Sequence, residues 1–128
     1  MKILLDTHIL LWALHEPRKL GRQIRERLMS PEHDVLFSAA SIWEIAIKSQ
    51  IKRVSLPVRP EEIASAALES GFSELPVRSE AAAMVADLPM HHKDPFDRLL
   101  IAQAIAESAR LCTIDKTMEL YRDAVQFL

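Results

Sequence analysis

The chain has 128 residues, 49% of them apolar and 27% charged, with a formal net charge of −2. One domain spanning 1–128 is the expectation, large enough to bury roughly two-thirds of its unfolded surface. The near-neutral balance excludes a globally basic nucleic-acid binder, so any basic patch must be local. The single cysteine excludes an internal disulfide and a cysteine-rich zinc site, and Cys112 reads as a small buried hydrophobe. Gly21 and Gly71 are the only glycines, too few for a Walker loop or a dinucleotide-binding turn.

Lys2–Leu5 reads as a buried strand that passes into a helix, Thr7–Leu14, at Asp6. This opening superficially resembles a signal peptide. Asp6 and His8 break its apolar run, however, and no small-residue cleavage site follows. With no run of the ~18 apolar residues that a membrane span needs, the expectation is a cytoplasmic protein. A second helix is predicted from Arg18 to Met29, with Leu20, Ile24 and Leu28 at helical spacing. A turn, Ser30–Asp34, leads to strand Val35–Phe37 and then to helix Ala39–Gln50, with Ser38 as its N-cap.

Val54–Pro60 reads as extended and Glu61–Ser70 as a helix stopped by Gly71. Phe72–Leu75 follows as a short strand, and Ser79–Asp87 as a helix capped by Ser79. A polar loop, Leu88–Lys93, precedes what reads as the longest helix, Pro95–Arg110. Strand Leu111–Ile114, short helix Lys116–Tyr121 and a last strand, Val125–Leu128, complete the pattern. Strands alternating with helices imply a parallel sheet covered on both faces. Such sheets bind ligands beyond the carboxyl ends of their strands.

Four acids stand out against this pattern. Asp6 and Asp115 directly follow strand-like runs, while Glu44 and Asp97 sit on apolar helices. Like charges near a core lose hydration and repel, by ~4 kcal/mol at ~4 Å and an effective dielectric near 20. If they converge, a cation must hold them. Asp6 and Asp115 each have an alternative role as a helix cap. Glu44 lies with Ser41 and Lys48 on one polar stripe, where its alternative is a surface ion pair with Lys48. Asp94-Pro95 reads as the cap and first residue of its helix, which leaves Asp97 free on the face shared with Leu100, Ile101 and Ala104. Hard oxygen donors of this kind suit Mg²⁺ or Mn²⁺ and phosphate chemistry.

The motifs LLDTHILLW, FSAASIWEIAIK, HHKDPFDRLLIAQA and LCTIDKTM occur in this order along essentially the whole chain. Together they resemble the PIN-domain ribonucleases and, among these, the VapC-type toxins of bacterial toxin–antitoxin pairs. The resemblance implies a three-layer α/β/α sandwich with a central parallel sheet. It also implies a Mg²⁺-dependent endoribonuclease (Mn²⁺ as the alternative ion), a homodimer, and an antitoxin segment in a groove that blocks the pocket. Asp6, Glu44, Asp97 and Asp115 match the acids of the family's metal pocket. Thr7, Ser38 and Thr113 match hydroxyl positions beside it, and Asp94 a position that caps a helix and adds charge.

For RNA contact the candidates are Lys48, His92, Lys93, Arg98 and Lys116, with Lys52 and Arg53 nearby in sequence. His91 and His92, just before the Asp97 helix, read as RNA contacts or as groups that tune the pocket, with a solvated loop as the favoured alternative, and Trp12 and Trp43 read as core or interface. Two other readings stand beside the nuclease. One is a PIN-like interaction module that keeps its acids as caps. The other is a metal-dependent phosphatase, although position 8 is His where such enzymes place a second Asp.

Overall fold

The computed structural model describes residues 1–51 and 59–128. Lys52, Arg53 and residues 54–58 of the expected extended stretch lie outside the described residues. Four strands form the sheet: β1 (Lys2–Leu5), β2 (Asp34–Ser38), β3 (Ser73–Leu75) and β4 (Arg110–Cys112). Their order is β3-β2-β1-β4, and every pair is parallel.

The register sets the site. Leu5 pairs with Phe37 on one side and Cys112 on the other. The residues that follow, Asp6, Ser38 and Thr113, therefore stand level across three neighbouring strand ends. Side chains alternate faces along a strand. Ile3 and Leu5 accordingly enter one core with Ile9, Leu10, Phe37, Ile45 and Ile63, and Leu4 enters the other with Leu100, Ile101, Leu111, Met118 and Tyr121. Burial on both faces explains why β1 is a continuous apolar run.

The first core is covered by α1 (Thr7–His15), α2 (Arg22–Met29), α3 (Ala39–Ile51) and α4 (Pro60–Glu69). The second lies under α5 (Ser79–Met84) and α6 (Pro95–Ala106). The result is the expected α/β/α sandwich. Among the described residues no helix is long and apolar enough to cross a membrane.

Several expected boundaries change. The helix over 18–29 is two pieces, a 3-10 turn at Pro17–Leu20 and then α2, because Gly21 stands between them at φ +74°. Ser79 lies inside α5 rather than capping it, and the cap position is Arg78 with no side-chain bond. The helix ends at Met84, with a 3-10 turn over Val85–Asp87. The expected longest helix stops at Ala106, where Ser108 turns at φ +52°, so α3 is longer, at 13 residues against 12. The strand expected over 111–114 is Arg110–Cys112, the helix over 116–121 shortens to a 3-10 turn at Met118–Tyr121, and the last strand reduces to one bridge between Leu111 and Phe127. Gly71 does end α4, at φ +91°.

Candidate metal centre

Asp6 leaves β1 and caps α1, its Oδ1 accepting from Ile9 N at 2.9 Å. Its backbone N–H donates to Cys112 O at 3.0 Å, which locks it to the end of β4. The Thr113 hydroxyl donates to Asp6 Oδ2. Thr113 Oγ1 in turn accepts from Asp115 N at 3.0 Å, and Asp115 Oδ1 accepts from Thr117 N at 2.8 Å. The capping role of Asp6 is therefore real, and both of its oxygens are engaged; Asp115 is not the cap of the 3-10 turn, whose cap position is Thr117, and its hydrogen bond uses Oδ1 alone. Burial raises the Asp6 carboxyl above its ordinary range, against the Thr113 and Ile9 hydrogen bonds, which lower it; the Asp115 charge adds to the rise.

Glu44 is only 4% exposed although it is charged. Thr7 Oγ1 donates to its Oε1 at 2.6 Å, and Ser41 Oγ lies 3.0 Å from the same hydroxyl. Lys48 binds Oε2 from one helical turn away. Both Glu44 oxygens are thus engaged, and the expected Glu44–Lys48 pair forms at a buried carboxylate rather than on the surface. The bond to Glu44 leads the rise in the Lys48 pKa, against burial, and the charges of Asp94 and Asp97 add to it.

Asp94 caps α6 as its sequence context predicts, with Oδ1 accepting from Phe96 N at 2.8 Å and Asp97 N at 3.3 Å. Asp97 is left to face the acids. Burial, then the charges of Asp94 and Glu44, push its carboxyl up to about 7, against the pull of His92; Asp6 adds a smaller rise. A cation beside the carboxylate would relieve this disfavoured charge.

His92 is not in a solvated loop. Its side chain is 19% exposed, with Nε2 2.9 Å from Asp97 Oδ2 and 3.4 Å from Asp115 Oδ2. Nε2 is buried, and neither carboxylate lies where its N–H would point, so the closeness is not a hydrogen bond. One donor atom each from His92, Asp97 and Asp115 fall within 4.8 Å of one another. Hard oxygen donors, a disfavoured charge on Asp97 and an unsatisfied buried nitrogen all fit a divalent cation. Asp97 and Asp115 offer the oxygens of this group, while Asp6 and Glu44, expected with them, lie outside it.

Arg98 requires a correction as an RNA-contact candidate. It is 7% exposed, and its guanidinium donates to Pro89 O at 2.8 Å, Val85 O at 3.0 Å and Tyr121 Oη at 2.9 Å, with Leu88 O at 3.4 Å and His92 O at 3.5 Å. It fixes the loop that carries His92 and cannot reach a phosphate. Lys93 and Lys116 are exposed, as phosphate contact requires, and Lys48 is tied to Glu44.

Ser38 caps α3 through Ala40 N at 3.0 Å and donates to Gln103 on α6, so it makes no hydrogen bond to an acid. Gln103 escaped the sequence reading. The signal was a lone amide inside the apolar run of α6, and its Nε2 donates to Pro76 O at 3.2 Å. Trp43 is 59% exposed rather than core, and meets Phe96 edge-on at 5.2 Å between ring centres.

Comparison with known proteins agrees with this geometry. The PIN domain family matches residues 3–123. Ribonuclease VapC22 of Mycobacterium tuberculosis (strain ATCC 25618 / H37Rv) is 30% identical over 126 residues, covering 94% of this chain and 92% of that protein. Among solved structures, VapBC2 from Rickettsia felis, bound to a DNA fragment from their promoter, superposes with a TM-score of 0.70 at 16% identity, covering 98% and 97% of the two chains. FitAcB from Neisseria gonorrhoeae gives 0.62 at 22% identity, covering 98% and 96%. At such identities these two structures speak to the fold, while the domain match and the VapC22 relationship speak to descent. The chain belongs to the PIN-domain family, on its VapC-type branch.

Proposed function

We propose that this protein is a metal-dependent endoribonuclease and the toxin of a toxin–antitoxin pair. The observation that carries the reading is Asp97. Its carboxyl is raised to about 7 by burial and by Asp94 and Glu44, and its Oδ2 faces Asp115 and His92. One donor atom each from Asp97, Asp115 and His92 within 4.8 Å of one another suits a cation. The relative named a ribonuclease supports RNA as the substrate.

Asp6, Asp97 and Asp115 would hold the ion, Mg²⁺ or Mn²⁺. When bound, the ion supplies an activated water for attack on a phosphodiester and positive charge for the leaving oxygen. Asp6 is oriented by Thr113 and Ile9, so its aim is set before any ligand arrives. Glu44, fixed by Thr7 and Lys48, contributes negative charge to the pocket rather than a free donor oxygen. The exposed Lys93 and Lys116 flank the pocket in sequence and would meet the RNA backbone, so affinity should fall steeply with salt.

An antitoxin partner is supported by structural relatives such as the toxin–antitoxin complex from Klebsiella pneumoniae, which superposes with a TM-score of 0.61. A groove of about 680 Å³ walled by Leu20, Leu28, Val35 and Phe72 suits an apolar segment of such a partner, but it lies at the amino ends of β2 and β3 and none of the four acids lines it, so a segment there would not itself block the pocket. We also propose a homodimer, which light scattering would test.

The test is cleavage of RNA by purified protein with Mg²⁺ or Mn²⁺, beside Asp97→Asn and a chelator control. Metal-dependent fragments from the wild type alone are expected. Equal cleavage by Asp97→Asn would overturn the scheme. Growth arrest on induced expression, absent in the variant, is the matching result for the toxin.

A further inference from the structure

We propose that His92 is a nitrogen ligand of the metal ion, joining Asp97 and Asp115, and that it shifts the site's preference from Mg²⁺ towards Mn²⁺. The inference rests on the metal-pocket reading and adds a donor of a different chemical kind.

The distances are those of shared coordination. In an octahedral site with ligands ~2.1 Å from the ion, adjacent donors stand ~3.0 Å apart. His92 Nε2 lies 2.9 Å from Asp97 Oδ2 and 3.4 Å from Asp115 Oδ2. A hydrogen bond does not explain the shorter distance, since Nε2 is buried and has no hydrogen-bond partner. When three donors surround one ion, each points at a common centre and not at its neighbours. A buried ring nitrogen close to two carboxylates but aimed at neither is that arrangement.

The ring is also built into place. His92 N donates to Tyr121 Oη at 3.0 Å. Tyr121 Oη donates to Pro89 O at 2.7 Å and accepts from Arg98, whose guanidinium gathers the carbonyls of the same loop. A loop that served only as a connection would not need a buried guanidinium to fix it. One contact is given up on ligation: Asp94 N approaches His92 Nδ1 at 3.4 Å, and a ring bound through Nε2 carries its proton on Nδ1. At that length the contact is weak.

Imidazole nitrogen suits Mn²⁺ and later first-row ions better than Mg²⁺, which prefers oxygen and retains its waters. Replacing His92 by an amide should therefore weaken Mn²⁺ far more than Mg²⁺.

The experiment is pulsed electron paramagnetic resonance of Mn²⁺ bound to the full-length protein, with titration calorimetry for Mn²⁺ and Mg²⁺, on the wild type and His92→Gln. The wild type should show modulation from a directly bound ¹⁴N that His92→Gln lacks. The variant should bind Mn²⁺ about tenfold or more weaker and Mg²⁺ less than about threefold weaker. A wild-type Mn²⁺ complex without ¹⁴N coupling, or with coupling that survives in His92→Gln, overturns the assignment and leaves the metal pocket standing. Tighter Mn²⁺ binding by His92→Gln overturns it too, since the ring would then obstruct the ion. No Mn²⁺ binding by the wild type overturns both this inference and the metal-pocket reading. Thermal melting of both proteins, with His92→Asn as a second variant, separates loss of a ligand from loss of fold.

Discussion

Arg98 and Tyr121 meet at 2.9 Å beneath the acid pocket, and between them they hold the segment from Val85 to His92. The pair is structural in its bonds and functional in what it positions. Arg98→Leu leaves buried carbonyls and a phenol oxygen without their donor and should cost about 3 kcal/mol of stability. Tyr121→Phe, which removes the oxygen but keeps the ring, should cost about 1–2 kcal/mol. Arg98→Lys should not restore Arg98, because an ammonium cannot reach acceptors spread over several directions. Urea denaturation midpoints measure all three, and a neutral Arg98→Leu would contradict the buried network.

Asp97 makes the metal-free protein sensitive to pH. Its folded pKa of about 7 lies above the ordinary 3.8, so between these values the folded state keeps a proton that the unfolded state has lost. Its contribution to stability is fully present below about pH 4 and disappears as pH rises through about 7. Chelator-treated protein should therefore melt lower at pH 8 than at pH 6. Asp97→Asn should flatten that difference and exceed the wild type in stability at pH 8, while losing activity. Scanning calorimetry at the two pH values is the check. A wild-type melting point that climbs from pH 6 to pH 8 would count against the raised carboxyl.

The sequence carried the sheet and the acids further than it carried their neighbours. Asp6 was legible because a charge at the end of Ile3-Leu4-Leu5 has no apolar role, and Glu44 because its helix offered it little exposed face. The Gly21 break was present as a residue type, yet the spacing of Leu20, Ile24 and Leu28 outweighed it. Arg98 was misread because arginine on a helix is usually solvated, and only tertiary closure of the Val85–His92 segment shows its acceptors. For His92 the favoured solvated-loop reading fails and the pocket reading stands, because nothing in the spacing of a loop histidine shows two carboxylates arriving from α6 and from beyond β4. Of the two readings of Trp43, core or interface, the core one fails because the buried face of α3 is Ala40, Ser41, Glu44 and Ile45, which leaves Trp43 outside.

Thr7 makes a short charge-assisted bond to Glu44 at 2.6 Å, in a place where neither group meets solvent. Thr7→Val keeps the shape and removes the donor, so it should destabilise the protein by about 1.5–3 kcal/mol. Thr7→Ser, which keeps the hydroxyl, should recover most of that loss. Thermal or urea melts of the two variants decide it, and equal stability of Thr7→Val and wild type would show that Lys48 alone satisfies Glu44.

Cys112 ends β4 next to Asp6, and burial, with help from the Asp6 charge, pushes its thiol up to about 12. The thiolate is the reactive form. Iodoacetamide at pH 7.5 should leave the folded protein unlabelled and modify it in denaturant, as mass spectrometry would report. Rapid labelling of the native protein would show that β4 opens.

The first strand of the chain lies in the middle of the sheet, and one of its two neighbours is made of residues 110–112. Asp6 and the Thr113 hydroxyl that orients it are 107 positions apart. During synthesis β1 can pair with β2 early, but its other edge stays open until residues 110–112 have emerged. The pocket cannot close on a partial chain, since Asp97, Asp115 and the turn holding Tyr121 arrive last. Long-range closure of this kind slows folding. It also means that a chain stopped before residue 97 carries Asp6 and Glu44 without the residues that would make them a site, so the chemistry assembles only when β4 docks against β1.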